Sequence, residues 1–280
     1  MPAKKRDPQP RVLRAAPLER LRWLMHGFST RRDGSLGFTE EDTPAAVRRN
    51  RAKFLRALAG GTKKAPALVT LQQIHSDVIH RLDGPPRAAL KGDGLITTVP
   101  GLLLSIQTAD CLPIFLVDPG RRAIGAFHAG WRGTLARIAG KGVGLMQRHF
   151  GSRPRDLRAA LGPGIHLCCY QVGREVRERF ESQFAYAGEL FQEFQDSDPV
   201  REKYPLLFLT ARAPGHSELG PRIYLDLVKA NVRQLRDAGV RASKIHASPL
   251  CAACRTDLLF SHRAEKGKTG RMLGVIGMRG

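Results

Sequence analysis

An α/β fold with mixed sheets is the class that this 280-residue chain predicts. Two observations carry the prediction. Short runs rich in β-formers, bounded by Gly, Pro and Asp, recur along the chain (ALVTLQQIH, DGLITT, LLLSIQT, LPIFLVD, AIGAFHA). Helical patterns are interspersed with them, without a regular βαβ count and without an internal repeat. At 42% hydrophobic residues, the chain can bury a large core.

Residues 1–21 are basic and proline-bearing, and are expected to form a flexible tail. Residues 22–280 are expected to form one catalytic domain. Pro44 to Leu58 sets Ala46, Val47, Phe54, Leu55 and Leu58 among basic residues, an amphipathic helix stopped by Gly60-Gly61. Gly133 to Phe150 reads as a helix whose Gly140, Gly142 and Gly144 either allow close packing on a sheet or break it. LRAALGPGI is a strand and turn, and VGREVRERFESQF a helix. The polar stretch Gln192 to Arg222 reads as a long loop with some local order. RIYLDLVKANVRQLRDAGV is a short strand start followed by a helix, and KIHASPL and MLGVIGM close the chain as strands.

The net charge of +21 is mostly arginine spread along the whole chain, and aromatic residues are only 6%. With little to stack on bases, nucleic acid is not the expected partner, although a positive field would steer phosphate and other anions. No apolar stretch reaches membrane-spanning length. The N-terminus lacks the apolar core of a signal peptide, and five cysteines make an odd number. Both point to a reducing, cytoplasmic setting.

Two histidines and a cysteine stand out. His75, Cys111 and His128 lie in QQIHSD, TADCLP and GAFHAGWRGT, each a polar exception in or at the end of an apolar run. Taken singly, such a His is a satisfied core or surface residue and such a Cys a small buried hydrophobe. Together, two imidazoles and a thiolate make a three-ligand zinc set with a fourth position for water or substrate. Their separations of 36 and 17 residues are too long for a zinc finger and suit a cleft assembled from distant strands. Asp110 precedes the cysteine and Asp77 follows the first histidine by two residues, so either carboxylate is a candidate to orient a ligand or shuttle a proton. The Gly-rich turn after His128 is expected to present backbone N–H groups at a helix start, with Arg132 beside them as a phosphate contact. Ser29 and Arg31 of GFSTRR, and Gln73 beside His75, are further candidates for substrate contacts.

QIHSD, DGLITTVPGLLLSIQTADCLPIFLVD, GAFHAGWRGT, LGPGIHLCCYQVG and CAACRTDLLFSHRAEKGKTGRMLGVIGM resemble successive blocks of the YfiH-like family. That family was long labelled multicopper polyphenol oxidase or laccase-domain protein and was later reassigned as purine nucleoside phosphorylase. The likeness runs from about Gly27 to the C-terminus. It departs at GFSTRRDGSLGF, shorter than the usual Gly- and Asn-rich start, and at SHRAE, where Ser-Tyr-Arg-Arg is common. The resemblance implies a layered α/β/β/α arrangement, with His75, Cys111 and His128 as the metal ligands. It implies phosphate-dependent cleavage of inosine, adenosine, guanosine or methylthioadenosine, and deamination of adenosine by water. Zinc is the expected ion and copper the alternative, since copper outcompetes zinc at most nitrogen and sulfur sites.

Two other functions compete. A copper-dependent polyphenol oxidase would need many histidines, largely in His-x-His pairs; this chain has nine and no such pair. Some relatives are described as peptidoglycan editing factors, and a zinc beside an anion pocket serves an amide substrate as well as a nucleoside. Two motifs fall short. His216-Ser-Glu218 followed by Pro249-Leu-Cys251-Ala-Ala-Cys254 nearly spells a zinc deaminase signature, but Leu250 is inserted and Leu-Gly-Pro ends the required helix. Gly267-Lys268-Thr269 lacks the first glycine of a phosphate-binding loop, because His262 stands there. Cys168, Cys169, Cys251 and Cys254 are expected to be buried thiols or a reversible disulfide.

Overall fold

The computed structural model describes residues 12–39, 42–59, 67–194 and 221–279. The chain divides into two compact units, Met1–His166 with Leu227–Gly280 and, separately, Leu167–Asp226, where a single domain was expected. The 60-residue span of the small unit was not legible in the sequence, because its helix and strands follow the same local patterns as the rest.

In the large unit, five strands form a sheet in the order β1 (Val12–Leu13), β2 (Leu24–Ser29), β16 (Met272–Met278), β8 (Leu102–Thr108) and β3 (Ala67–Val69). Six more form a second sheet in the order β15 (Ile245–Ala247), β11 (Arg158–Leu161), β9 (Leu112–Asp118), β10 (Ala123–Ala129), β7 (Gly94–Thr97) and β5 (Ile79–Leu82). Both are mixed: β3 joins β8, β5 joins β7 and β15 joins β11 in parallel, while the central pairs are antiparallel. A parallel pair, β4 (Leu71–Gln72) with β6 (Leu90–Lys91), lies apart.

Strand alternation explains the stacking. In β8 and β16, Leu104, Ile106 and Ile276 join Phe28, Phe115, Val117, Ile124 and Ala126 in one core between the sheets. Leu103, Leu273 and Val275 point the other way, onto Phe54 and Leu58 of helix α2 (Pro44–Ala59). On the outer face of the second sheet, α4 (Ile138–Phe150) packs on β10. The layers therefore run α2, five-stranded sheet, six-stranded sheet, α4, which is the predicted α/β/β/α order. Helix α2 starts as read, with Pro44 in the first turn, where its missing N–H costs nothing, and the Thr43 hydroxyl accepting the Ala46 N–H. Gly60 and Gly61 lie outside the described residues.

Three local expectations change. Residues 12–21 are not tail: Val12 and Leu13 pair with Ser29 and Phe28, and Leu18 of the short helix α1 (Ala16–Glu19) is buried. The helix expected over 133–150 is two, α3 (Trp131–Leu135) and α4, and the break falls at Arg137, which is left-handed at φ 63°, not at the glycines. Of those glycines, Gly142 is a packing device, because a Cβ there would lie 2.6 Å from the Phe127 ring; Gly144 faces open space. The loop expected over 192–222 is strand at both ends, while residues 195–220, including His216 and Glu218 of the deaminase-like motif, lie outside the described residues.

The small unit holds β12 (Gln171–Val172), α5 (Arg174–Glu181), β13 (Phe191–Phe194) and β14 (Arg222–Leu225), with β14 in the middle of its sheet. Phe180 is its centre, buried against Phe184 and edge-on to Phe191. Back in the large unit, α6 (Leu227–Asp237) follows β14 directly.

His26 of β2 is buried, and its Nε2 accepts the Ala15 N–H at 3.1 Å. Burial, then Arg14 nearby, lower its pKa to about 4. The unfolded chain takes up this proton near pH 6.5 and the folded chain does not, so stability is full above that pH and falls on acidification. About 2 kcal/mol is lost by pH 5 from this group. Urea unfolding of metal-free protein at pH 7 and pH 5 measures it, and His26→Gln is expected to flatten the slope. An equal slope in the variant would place the acid sensitivity elsewhere.

Candidate metal centre

Parity places two of the three predicted ligands. His128 has the same strand parity as Ile124 and Ala126 of the inter-sheet core, and Cys111, one residue before β9, has that of Phe115 and Val117. Register sets Pro113 opposite His128. Cysteine and imidazole therefore emerge at the same end and on the same face of adjacent strands. His75 arrives from elsewhere, in the loop between β4 and β5, and its ring lies edge-on to His128 with centroids 4.9 Å apart. One ligand atom from each residue falls within 4.8 Å of the others. His75 is exposed, Cys111 half-buried and His128 buried, so the cluster is reached from the His75 side.

The organising group is one the sequence reading passed over. Asp93, at the mouth of β7, is fully buried. Its Oδ1 accepts from His128 Nδ1 at 2.8 Å and from the His75 N–H at 3.1 Å. Its Oδ2 accepts from the N–H groups of Ile74 (3.2 Å) and Ser76 (2.6 Å) and from the Ser76 hydroxyl (2.7 Å). Its carbonyl oxygen accepts the His128 N–H at 2.7 Å. Burial opposes the charge, but His128 and Ser76 outweigh it and hold the carboxyl at about 2. A hydrogen bond at Nδ1 leaves Nε2 of His128 for the thiol, fixing which nitrogen faces the site. The signal was present: an acidic residue opening the fully buried strand run DGLIT cannot stay there unpaired.

Backbone strain marks both neighbouring positions. His75 is left-handed at φ 57° and Asp110 has φ 90°, conformations that non-glycine residues hold only when their surroundings impose them. The three N–H bonds to Asp93 impose the first. For the second, the Asp110 carboxylate accepts from the Ser261 hydroxyl and the Arg263 N–H, each at 2.6 Å, and the Asp110 carbonyl accepts the Ile165 N–H. Asp110 thus anchors a C-terminal loop beside Cys111.

The donor chemistry fits a metal ion. Burial pushes the Cys111 thiol up, yet His128 and His75 bring it down to about 6; His128, which burial would lower, is raised to about 9 by Cys111 and Asp93. A thiolate–imidazolium pair results, and an ion would displace the imidazolium proton. Space is kept by Gly130, where a Cβ would lie 2.8 Å from Cys111 Sγ and 3.4 Å from His75 Cδ2. The turn after Gly130 is clamped from α6, with Asn231 Nδ2 donating to Thr134 Oγ1 at 2.9 Å and Gln234 Nε2 to the Thr134 carbonyl at 2.7 Å.

The remaining predicted contacts have other partners. Ser29 is buried and its hydroxyl accepts the Leu273 N–H. Gln73 pairs both ways with the Gln107 backbone. Arg31 donates to the Leu259 carbonyl and to Glu265 and stacks on Phe260. These bonds use part of each group's hydrogen-bonding capacity within the fold itself. Asp77 is half-buried and bonded to Lys141. Arg132 is exposed and stacks on Trp131, 4.6 Å from the ring centroid. Of the other cysteines, expected as buried thiols or a reversible disulfide, Cys251 is buried, Cys169 half-buried, and Cys168 and Cys254 exposed.

A mixed α/β protein with a His-Cys-His donor set at the mouth between two sheets is the class so defined. The chain belongs to the family described as multi-copper polyphenol oxidoreductase laccase, which matches residues 25–279. It is 34% identical over 254 residues to a protein of Geobacillus stearothermophilus named purine nucleoside phosphorylase YlmD, covering 88% of this chain and 83% of that one. It is 35% identical over 185 residues to a protein of an unknown prokaryotic organism named adenosine deaminase RL5, covering 66% and 62%. A solved structure of the Bacillus licheniformis hypothetical protein YfiH superposes with a TM-score of 0.79 at 30% identity, covering 96% of this chain and 97% of that one. Among the described residues, no helix is long and apolar enough to cross a membrane.

Asp93→Asn keeps the shape and removes the charge. Metal affinity, measured by competition with a chromogenic chelator, is expected to fall roughly 10- to 100-fold. Native affinity in the variant would mean that the ligands are held without Asp93.

Proposed function

We propose that the protein is a zinc-dependent purine nucleoside phosphorylase, acting on inosine, adenosine, guanosine or methylthioadenosine, that also deaminates adenosine. The observation that carries this reading is the convergence of His75, Cys111 and His128 around Asp93, in a chain whose relatives bear those two names. A zinc ion held by these three residues would supply a Lewis acid, able to polarise an oxygen or acidify a water.

The chain's own residues supply the rest. Asp93 keeps His128 in one tautomer and, through its three N–H bonds, keeps the His75 loop in register with it. Exposure on the His75 side gives a nucleoside its entry, and the inter-sheet core behind His128 closes the site to water from the rear. Asp77, two residues from His75, partly exposed and bonded to Lys141, is the carboxylate we assign to proton transfer. Asp110 is assigned a positioning task in place of the catalytic one, because both its oxygens already accept short bonds. Arg132 remains the proposed contact for phosphate, since its guanidinium is exposed on the turn that follows His128. Ser29, Gln73 and Arg31 are not assigned to substrate. Cleavage by phosphate and deamination by water then differ in the nucleophile and in the carbon presented to it.

Chromatography of inosine and adenosine incubated with zinc-loaded protein, with and without phosphate, tests this. Phosphate-dependent release of hypoxanthine and ribose 1-phosphate, absent from Cys111→Ala, is expected, and inosine formed from adenosine adds the deaminase step. No turnover of either nucleoside by folded, zinc-loaded protein overturns the reading.

The family description favours one alternative, a copper-dependent polyphenol oxidase. Copper-loaded protein that absorbs visible light and oxidises a phenol at the expense of oxygen would support it. The wall-precursor editing reading gains no specific observation.

A further inference from the structure

The end of the six-stranded sheet farthest from the metal centre carries a second feature. Register locates it. Cys111 and His128 sit where β9 begins and β10 ends, whereas Asp118 and Ala123 pair at the other end of the same two strands. At about 3.3 Å per residue, that end is roughly 20 Å away. Three segments distant in sequence meet there: the turn between β9 and β10, the segment that follows α4 and leads into β11, and the residue before β15. They line an open cavity of about 560 Å³, within the range of ligand sites.

Its lining is cationic. Arg121, Arg153, Arg158 and Lys244 face two carboxylates, Asp118 and Asp156. Both carboxylates are already engaged. Asp118 Oδ1 accepts the N–H groups of Gly120 and Arg121, and Asp156 accepts from Arg153 at 2.7 Å with Lys244 at 3.8 Å. The field is positive enough to hold Asp156 below the usual carboxylate range, chiefly through Arg153 with Lys244 and Arg155 behind it. Arg158 and Lys244 are half-buried and pre-set by bonds to the carbonyls of Pro17 and Arg155. The Arg121 guanidinium lies beside Gly151 and, among the described residues, has no acceptor.

We propose that this cavity binds small anions that carry two or more linked phosphoryl groups, such as the diphosphate of a nucleotide. The size exceeds what a single phosphate fills, and two pre-set cations with a third lacking an acceptor suit adjacent oxyanions. An apolar ligand finds little there, and an extended nucleic acid would draw on stacking aromatics that the lining lacks. The site is separate from the metal centre and does not depend on the activity proposed for it.

Calorimetric titration of the full chain with pyrophosphate at about 150 mM salt tests the site, since exposed charges are screened there. Saturable binding is expected, about tenfold or more weaker in Arg121→Glu and in Lys244→Gln, weaker by a similar factor for orthophosphate, and unchanged in Cys111→Ala. Arg121→Glu removes an exposed side chain, so unaltered urea unfolding will show that it still folds. Three results overturn the proposal: equal binding in the Arg121→Glu variant, loss of binding in Cys111→Ala, or preference for a single-stranded oligonucleotide over pyrophosphate. The second would assign the anion to the metal centre, and the third would make the basic face a nucleic-acid contact.

Discussion

The Asp93 carboxylate, buried at the start of β7, accepts from the imidazole that ends β10 and from three successive N–H groups of the loop carrying the other histidine. The candidate metal centre is assembled around that knot. A buried anion is costly unless every lone pair is used, and here partners from both sides use them. The same bonds that make the charge tolerable also set the geometry. His75 keeps a left-handed backbone because its N–H is one of the three donors, and His128 keeps one tautomer because its Nδ1 is committed. Weakening the knot would release both histidines together, whereas a defect at Cys111 would leave the scaffold in place.

Around this centre, the fold supplies rigidity by layering. Residues of opposite parity in β8 and β16 bury against the second sheet on one side and α2 on the other. His128 and Cys111 continue the parity of the inter-sheet core at one end of β9 and β10, so these side chains stand at its rim. Second supports converge from far along the chain: Asn231 and Gln234 steady the turn after Gly130, and Ser261 and Arg263 steady Asp110. Precision at the site comes from these bonds rather than from the loops themselves, which would otherwise relax out of their strained conformations.

The two ends of the six-stranded sheet differ in the groups they gather. Asp93 and Cys111 gather with His128 at one end, at the candidate metal centre, while arginine and lysine side chains outnumber the carboxylates around the cavity at the other. Spread along the sequence, the basic residues read as a solvated surface. Folding brings Arg121, Arg158 and Lys244 from three segments to one point, which linear charge counting cannot detect.

Local chemistry was legible wherever neighbours in sequence decide it. The strand runs, the start of α2, the fourfold layering implied by family likeness and the convergent triad of His75, Cys111 and His128 all appear in the fold. The bonds that Ser29, Gln73, Arg31 and Asp110 make within the fold were not legible in the sequence, because their partners, Leu273, Gln107, Glu265 and Ser261, are 34 to 244 residues away. Polar residues beside a motif look like contacts for substrate until such partners are known. Asp93 escaped for the same reason: its value lies in what the sheet register sets against it. By itself the sequence determined which side chains could bind a metal and the periodicities that form the elements, since both are properties of residue type and spacing. Only the tertiary structure decided which polar groups are spent on the fold and which remain for chemistry, because hydrogen-bond capacity is finite and long-range packing distributes it.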